Sequence, residues 1–467
     1  MSATSNATTI LSASKIDTGD TAWSAVSCTY MMLMTPAVGI LYGGLLRQKN
    51  LLTLLVQSMA IFSVTTITWS LLGYSLAFGT SKGGFIGGSN YFGFQDVGYV
   101  PMSQAPTIPG VLFFFYQLCA CAVTPAIAVG SAGERFSIIP SLIFTFVWIL
   151  TVYCPVTHWL WGYGWLNTLG AIDYAGGAVV HMAAGYTSLA LSLAIGKRNE
   201  SADKPVPHNN SYAFLGITLL WFGWFGFNGG SAFAANYQAS LAIVSSNISA
   251  AAASLSWTLT DYIFDKKIHL MSFVLGAGSG LISITPGSGY CSLWASSIIG
   301  LIGGIFSALF TRFKEHYKLY DDAADVFSAH GVCGTWGVFA VGLWAKATED
   351  GVDGGFYGRG IQLGYQMATI ITVGPYCFVL SYVIASVMKH LGWLRVGAEE
   401  EELGLDRIYG EYGYTIVTAN QNPQTEGDQT PKKDPDPSSA RKALNSEVNV
   451  PLEKKDAERR EANNNQL

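Results

Sequence analysis

Long uncharged apolar runs constrain this chain more than any other feature of its sequence. Residues 51–78, 111–129 and 138–161 contain no Asp, Glu, Lys or Arg, and a helix of about twenty apolar residues crosses the roughly 30 Å hydrocarbon core of a bilayer. Only 12% of all residues are charged, against about a quarter in soluble proteins. The sequence therefore predicts an all-α polytopic protein embedded in a lipid bilayer, with no nucleic-acid partner.

The apolar runs predict about eleven transmembrane helices. They lie near residues 22–46, 51–79, 109–131, 138–161, 175–196, 211–231, 238–262, 269–285, 291–313, 328–346 and 361–392. If the N-terminus is outside, 13 Lys and Arg residues before the tail fall in cytoplasmic connections and 4 on the opposite side. Such an excess marks the cytoplasmic side, so we predict an N-out, C-in topology.

Four regions follow from composition. Residues 1–20 are polar without the pattern of a cleaved signal peptide, and form a predicted extracellular segment in which Asn6 begins a glycosylation sequon. Residues 21–396 form the predicted transmembrane domain, and 397–418 an ordered cytoplasmic segment. Residues 419–467 are too polar to bury a core and are predicted to be disordered. This tail is either the target of a kinase or regulator, or an unmodified solvated segment.

Two Asp-to-His segments place ionisable groups within apolar surroundings. Asp173 precedes His181, and Asp325 precedes His330, at comparable places in the two halves of the chain. Ionisable side chains are costly in a bilayer and usually mark a substrate path. We therefore predict an inverted repeat of the first and second five helices, with a pore site at the repeat interface. Both aspartates are expected to cap the starts of their helices.

The chemistry of a histidine pair limits what such a site can do. A metal site needs three or four ligands, and the sequence has no HExxH-type motif, so no metal or cofactor is expected. Two neutral histidines can share one hydrogen bond and exchange protons near neutral pH, which suits a small ionisable substrate. The alternative is that each histidine only satisfies a local break in its helix.

Aromatic residues on the predicted outer side point to a cation. Trp161 ends the fourth predicted helix, and an aromatic, glycine-rich run from Trp221 to Ser231 ends the sixth. Aromatic faces attract a cation by roughly 0.5–2 kcal/mol. The Ser231 hydroxyl can accept a hydrogen bond from an N–H group, which a bare metal ion does not offer. The combination favours ammonium, and the alternative is an ordinary interfacial aromatic belt.

Five motifs together resemble the Amt/Mep/Rh ammonium transporter family, most closely its Amt/Mep branch. They are residues 41–50, 130–135, 173–181, 223–231 and 325–334, within a resemblance that runs from about Trp23 to Tyr414. The resemblance implies a homotrimer in the plasma membrane, with a central pore in each subunit. It also implies ammonium or ammonia as substrate, with methylammonium as an analogue.

The same resemblance implies roles for pore residues. His181 and His330 match the twin pore histidines of the family, and Phe227 matches one of the two stacked phenylalanines that close the pore. Trp224 and Asp325 are expected to be structural residues at the pore.

At the outer entrance, Trp161, Ser231 and Tyr116 match the ammonium-recruitment site, and Asp173 matches the acidic residue near it. The position of the second stacked phenylalanine is occupied by Ala120, so the gate is expected to rest on Phe227 and Tyr116 or to be looser.

The segment 404–414, which resembles the subunit-coupling segment of the family, is one residue shorter than usual and has Tyr409 near the usual place of a His. Pro36-Ala37 stands where Pro-Gly is common, and little effect is expected.

The resemblance implies that ammonium is captured outside, loses its proton and passes the histidines as ammonia. One alternative is an electroneutral channel for a gas or small neutral solute. Another, from a different class, is an ammonium sensor that signals through its C-terminal tail. The sequence has no nucleophile–base or metal motif of an enzyme, so no enzymatic activity is expected.

Overall fold

The protein is a bundle of long helices. The computed structural model describes residues 15–81, 83–199, 206–346, 352–411 and 413. Within these residues the only β-type pairings are two isolated bridges. Asn6, Tyr414 and the tail from residue 419 lie outside the described residues, so the glycosylation site and the disorder of the tail stay predictions.

Each of the eleven predicted helices has a counterpart whose ends lie within four residues of the predicted ones. Four of them contain a π-helical turn, which is given as a separate range here. The helices are α1 (Thr18–Leu45), α2 (Leu51–Thr68, Trp69–Gly73 and Tyr74–Phe78), α3 (Gly110–Val129), α4 (Ile138–Trp148, Ile149–Tyr153 and Cys154–Trp161), α5 (Gly177–Met182 and Ala183–Ile195), α6 (Asn210–Gly230), α7 (Tyr237–Asp265), α8 (Leu270–Ile284), α9 (Leu293–Tyr317), α10 (Phe327–Val332 and Cys333–Trp344) and α11 (Ile361–His390).

Nine helices of the described chain are long and apolar enough to cross a membrane, so the protein is a multi-pass membrane protein. The other two long helices are α6, which is rich in Gly, Trp and Asn, and α10, which begins with a π-helical turn. The count of eleven crossings and the N-out orientation stay predictions. We call the end of the bundle that carries Trp161 and Ser231 the aromatic end, and the end that carries Arg198 and Lys314 the charged end.

The predicted internal repeat is visible as an offset of 149 residues. His181 lies in the π-helical turn that begins α5, and His330 in the one that begins α10. The two imidazoles are in contact with each other. The hydroxyls of Tyr186 and Thr335, also 149 residues apart, lie within 3.3 Å. Because both pairs join equivalent positions of the two halves, they mark the line about which the halves are related.

The segments that lead into α5 and α10 are anchored in equivalent ways. The amide of Tyr174 donates a hydrogen bond of 3.0 Å to the carbonyl of Pro286, just after α8. The amide of Ala323 donates one of 3.1 Å to the carbonyl of Ser131, just after α3. Each half of the chain therefore fixes the helix start of the other half.

Close approach of α5 and α10 depends on glycine. A Cβ on Gly185 would lie 2.1 Å from the backbone nitrogen of Gly331, and a Cβ on Gly334 would lie 3.0 Å from that of Met182. Small residues let helices in membranes approach closely. This crossing brings the two histidines together.

A short C-terminal segment packs on the charged end. It contains two helices, α12 (Ala398–Leu403) and α13 (Leu405–Ile408). The Asp406 carboxylate accepts hydrogen bonds from the amides of Leu52 and Thr53 at 3.1 and 2.8 Å. The Tyr409 hydroxyl accepts one of 2.9 Å from the amide of Ile138. The segment thus caps the starts of α2 and α4, and its predicted boundary at residue 418 lies outside the described residues.

Candidate functional site

The centre of the candidate site is a pair of imidazole rings. His181 Nδ1 lies 3.2 Å from His330 Nδ1, so one nitrogen must carry the shared proton and the other must accept it. A pair in which both rings were fully protonated would have no acceptor. His181 is 1% exposed, whereas His330 lines a cavity of about 1050 Å³ that reaches the charged end.

Two aromatic rings lie close to His181, and one of them belongs to Trp224, which also lines this cavity. Trp224 stacks on the imidazole with ring centroids 5.3 Å apart and an angle of 24° between the planes. Its indole N–H donates to the hydroxyl of Thr285 at 2.9 Å. Phe227 is buried and lies 6.2 Å from His181. Ala120, at the position of the second stacked phenylalanine, is also buried but has no ring. The rings next to His181 are therefore those of Trp224 and Phe227.

Two hydroxyls meet one carbonyl at the aromatic end. The Tyr116 hydroxyl and the Ser231 hydroxyl both donate to the carbonyl of Phe227, at 2.5 and 2.9 Å. The two oxygens are 3.1 Å apart. Because both protons are directed at the carbonyl, each oxygen keeps lone pairs that can accept from an N–H group. Phe233, which the sequence analysis did not single out, packs edge-on against Tyr116 at 4.9 Å.

Asp173 joins α4 to the start of α5. Its carboxylate accepts hydrogen bonds from the amides of Gly176, Ala178 and Val179 at 3.1, 2.9 and 2.9 Å. Its carbonyl accepts one of 2.7 Å from the indole N–H of Trp161. Asp173 is therefore a buried cap, as the sequence predicts, and it also fixes the orientation of the Trp161 ring.

The corresponding cap in the second half is Asp322, so the assignment of this role to Asp325 was wrong. The Asp322 carboxylate accepts a hydrogen bond of 2.7 Å from the amide of Phe327, five residues on, as Asp173 does from Ala178. Both caps precede their histidine by eight residues, and this equal spacing is a signal that the sequence contains.

Asp325 instead occupies the position of Gly176. Both residues have a positive φ, +54° for Asp325 and +110° for Gly176. The Asp325 carboxylate is paired with the ammonium group of Lys314, so it turns away from the helix start and contacts α9.

A network of ion pairs closes around the cavity at the charged end. Arg198 joins the carboxylates of Glu134 and Asp321 at 3.1 and 2.7 Å. Arg47 contacts Glu134 at 2.8 Å, and Arg135 contacts Asp321 at 2.7 Å. Although burial alone would raise it, hydrogen bonds from Arg198 and the charge of Arg135 lower the pKa of the Asp321 carboxyl to about 2. From sequence alone, these arginines indicate topology but not their ion-pair partners.

The described residues contain no group of three or more His, Cys, Asp and Glu side chains placed to hold a metal ion. The seven cysteines are buried and unpaired. The histidine pair is a contact between two ring nitrogens, which can share one hydrogen bond.

Relatives with this architecture are known from solved structures and from sequence. The crystal structure of Candida albicans Mep2 matches with a TM-score of 0.78 at 34% identity, covering 83% of this chain and 88% of that one. A structure titled "Sensor Amt Protein" matches with a TM-score of 0.78 at 29% identity, covering 84% and 98%.

Sequence comparison gives the same result. An ammonium transporter of Bacillus subtilis is 40% identical over 401 residues, which are 85% of this chain and 98% of the relative. The sequence model of the Ammonium Transporter Family matches residues 22–414. On these grounds the chain belongs to the ammonium transporter family.

Proposed function

We propose that this protein transports ammonium selectively across the plasma membrane and releases the nitrogen through a pore that contains His181 and His330. The single observation that carries the proposal is the contact of 3.2 Å between the buried imidazole of His181 and the half-buried imidazole of His330. Trp224 stacks on His181 and lines the same cavity as His330. It can hold one shared proton and pass it on without any covalent change in the substrate.

The aromatic end is proposed to recruit the cation. The free lone pairs of the Tyr116 and Ser231 hydroxyls accept N–H groups, while the Trp161 ring, held by Asp173, attracts the positive charge. Phe227 is proposed as the gate beneath this site, with Trp224 as a structural neighbour of His181. Methylammonium retains three N–H groups and is the expected substrate analogue.

Deprotonation explains how a narrow apolar pore can select ammonium over potassium. A charged group at the centre of a bilayer costs from about 3 to more than 10 kcal/mol, depending on the estimate. Ammonium avoids this cost by leaving its proton behind, whereas potassium, a cation of similar size, has no proton to lose.

The assembly and topology are part of the proposal. We propose a homotrimer with one pore per subunit and with the aromatic end outside. The C-terminus then lies in the cytoplasm, where the tail from residue 419 is accessible to a kinase or regulator. Cross-linking of the purified protein tests the trimer, and protease accessibility of the tail in sealed vesicles tests its side.

A current measurement tests transport. Proteoliposomes on a solid-supported membrane receive an ammonium pulse, with potassium as the ionic control and His269→Ala as the control variant, because His269 is an exposed histidine. We expect a sustained ammonium-specific current that His181→Ala abolishes. Alkalinisation inside the vesicles without a current would favour the electroneutral channel. Selective transport at full rate by His181→Ala/His330→Ala would refute the role of the pair.

A sensor is the second candidate, favoured by the likeness to a structure titled "Sensor Amt Protein". In that case deletion of residues 414–467 abolishes the cellular response to nitrogen starvation while methylammonium uptake continues. Loss of both together, or of neither, argues against signalling through the tail.

A further inference from the structure

The two mouths of the bundle share one backbone arrangement but carry different side chains. At the aromatic end, the carbonyl of Asp173 accepts the indole N–H of Trp161, the last residue of α4. At the charged end, the carbonyl of Asp322 accepts the ammonium group of Lys314, in the last turn of α9, at 3.1 Å. Lys314 therefore stands at the charged end where Trp161 stands at the aromatic end.

The surroundings of Lys314 form a cation site. Its Nζ also contacts the Asp325 carboxylate, and the side chains of Lys314, Asp322 and Asp325 all line the cavity that reaches His330. Asp322 is 1% exposed, and its Oδ1 has no hydrogen-bond partner among the described residues. A buried carboxylate oxygen without a hydrogen-bond donor is costly in free energy. Asp322 Oδ1 can therefore accept a hydrogen bond from an N–H group.

We propose that the Lys314 ammonium group is a tethered occupant of a cation site made by Asp322 and Asp325, and that it keeps the charged-end mouth from recruiting free ammonium. The –NH3⁺ group offers three N–H donors, the chemistry that ammonium and methylammonium would bring. A tethered group acts at a high effective concentration, so a free cation competes poorly for the same oxygens. This inference rests on the proposed transport function.

Other charged residues line this cavity besides Lys314 and its partners. Glu315, Lys318, Lys197 and Asp321 also line this cavity, and Asp321 is already paired with Arg198. Replacement of Lys314 by an apolar residue of similar length leaves the Asp325 carboxylate and the Asp322 carbonyl without the ammonium group that they bind. A free ammonium ion should then occupy the site.

The test compares the two faces of one membrane. Labelled methylammonium uptake is measured in right-side-out and inside-out vesicles that contain wild type, Lys314→Met, Lys314→Met/Asp322→Asn or Lys197→Met. Lys197→Met is the control: Lys197 also lines the cavity, but its side chain is exposed. For Lys314→Met we expect the half-saturating concentration at the charged-end face to fall by about tenfold or more. It should be unchanged for Lys197→Met and return toward the wild-type value in the double variant.

Three outcomes overturn the inference: an unchanged half-saturating concentration in Lys314→Met, an equal fall in Lys197→Met, or an equal fall in the double variant. Uptake from the aromatic-end face in the same preparations shows that each variant is folded. If wild type takes up no methylammonium from either face, the proposed transport function itself fails, which is a different result.

A binding measurement covers the case in which Lys314→Met does not assemble. Purified Lys314→Ala is heated with methylammonium chloride or with tetramethylammonium chloride, which has no N–H group. We expect methylammonium to raise the Tm of Lys314→Ala more than that of wild type, and tetramethylammonium not to do so. Equal shifts in both proteins, or equal shifts with both salts, refute the cation site.

Discussion

Replacement of Gly176 by alanine should damage both stability and substrate recruitment. Gly176 has φ +110° and ψ 32° immediately before the π-helical turn that carries His181. A Cβ at this position would lie 2.8 Å from Val180 Cγ2 and 3.2 Å from Trp161 Cη2. Trp161 is held on its other side by the carbonyl of Asp173, so the ring cannot retreat without losing that hydrogen bond.

The magnitude follows from two separate costs. A non-glycine residue in a sparsely populated backbone conformation costs of order 1–3 kcal/mol, and overpacking costs about 1–3 kcal/mol more. The free energy of unfolding should therefore fall by roughly 2–6 kcal/mol. If the Trp161 ring shifts, loss of a cation–π contact of about 0.5–2 kcal/mol raises the half-saturating ammonium concentration by roughly 2- to 30-fold.

Two glycines separate strain from crowding. Gly358 has φ +94° with no heavy atom within 4 Å of an added Cβ, and Gly98 has open space without a positive φ. Thermal unfolding and ammonium-evoked currents are measured for an alanine substitution at each position. Gly98→Ala should match wild type, Gly358→Ala should lose stability only, and Gly176→Ala should lose more stability and affinity. Equal effects at Gly176 and Gly358 would refute the crowding argument.

Three further perturbations follow from the contacts. Tyr116→Phe keeps the ring but removes a hydroxyl that donates to a buried carbonyl, so a loss of about 1 kcal/mol of stability with a weaker ammonium response is expected in unfolding and current measurements. Arg198→Met leaves the buried Glu134 and the partly buried Asp321 with one cation fewer, and a loss of roughly 3 kcal/mol in thermal unfolding is expected, mainly from Glu134. Because the folded pKa of Asp321 is lowered to about 2, its contribution of roughly 2 kcal/mol is present above the unfolded value of about 3.9 and is lost as pH falls toward 2. Wild type should therefore lose more stability than Asp321→Asn over this interval.

The helices were predictable because a bilayer demands them. Backbone N–H and C=O groups in hydrocarbon must form their hydrogen bonds within the segment, so a long apolar run in this chain is expected to be a helix. The predicted and observed helix ends agree within four residues. The π-helical turns were not predictable, because the hydrogen bond from the His181 amide to the Gly176 carbonyl leaves no trace in hydropathy. The cap at Asp322 bonds to an amide five residues on, at the first residue of the π-helical turn, whereas the sequence prediction placed the cap at Asp325.

Contacts between distant segments were the other limit. Glu134 and Asp321 are 187 residues apart in the sequence, and Arg198 joins their carboxylates. Charge counting placed Arg47, Arg135 and Arg198 on one side of the membrane but had no means to pair them with carboxylates. The histidine pair could be predicted because its two members occupy equivalent positions of an internal repeat, and such a repeat can be recognised in the sequence.

Thermodynamics limits what a difference between the two pore entrances can change. A pore without an energy source cannot set the direction of net flux by binding its substrate more tightly at one face, because a ligand shifts an equilibrium only through differential affinity for two states. Trp161 at one mouth and Lys314 at the other therefore leave the driving force to concentration and membrane voltage. What they can change is the concentration at which each face saturates, so the aromatic end would respond to scarce ammonium while the charged end stays unsaturated. The half-saturating concentrations at the two faces, rather than the final accumulation of methylammonium, are for this reason the quantities in which the role of Lys314 becomes visible.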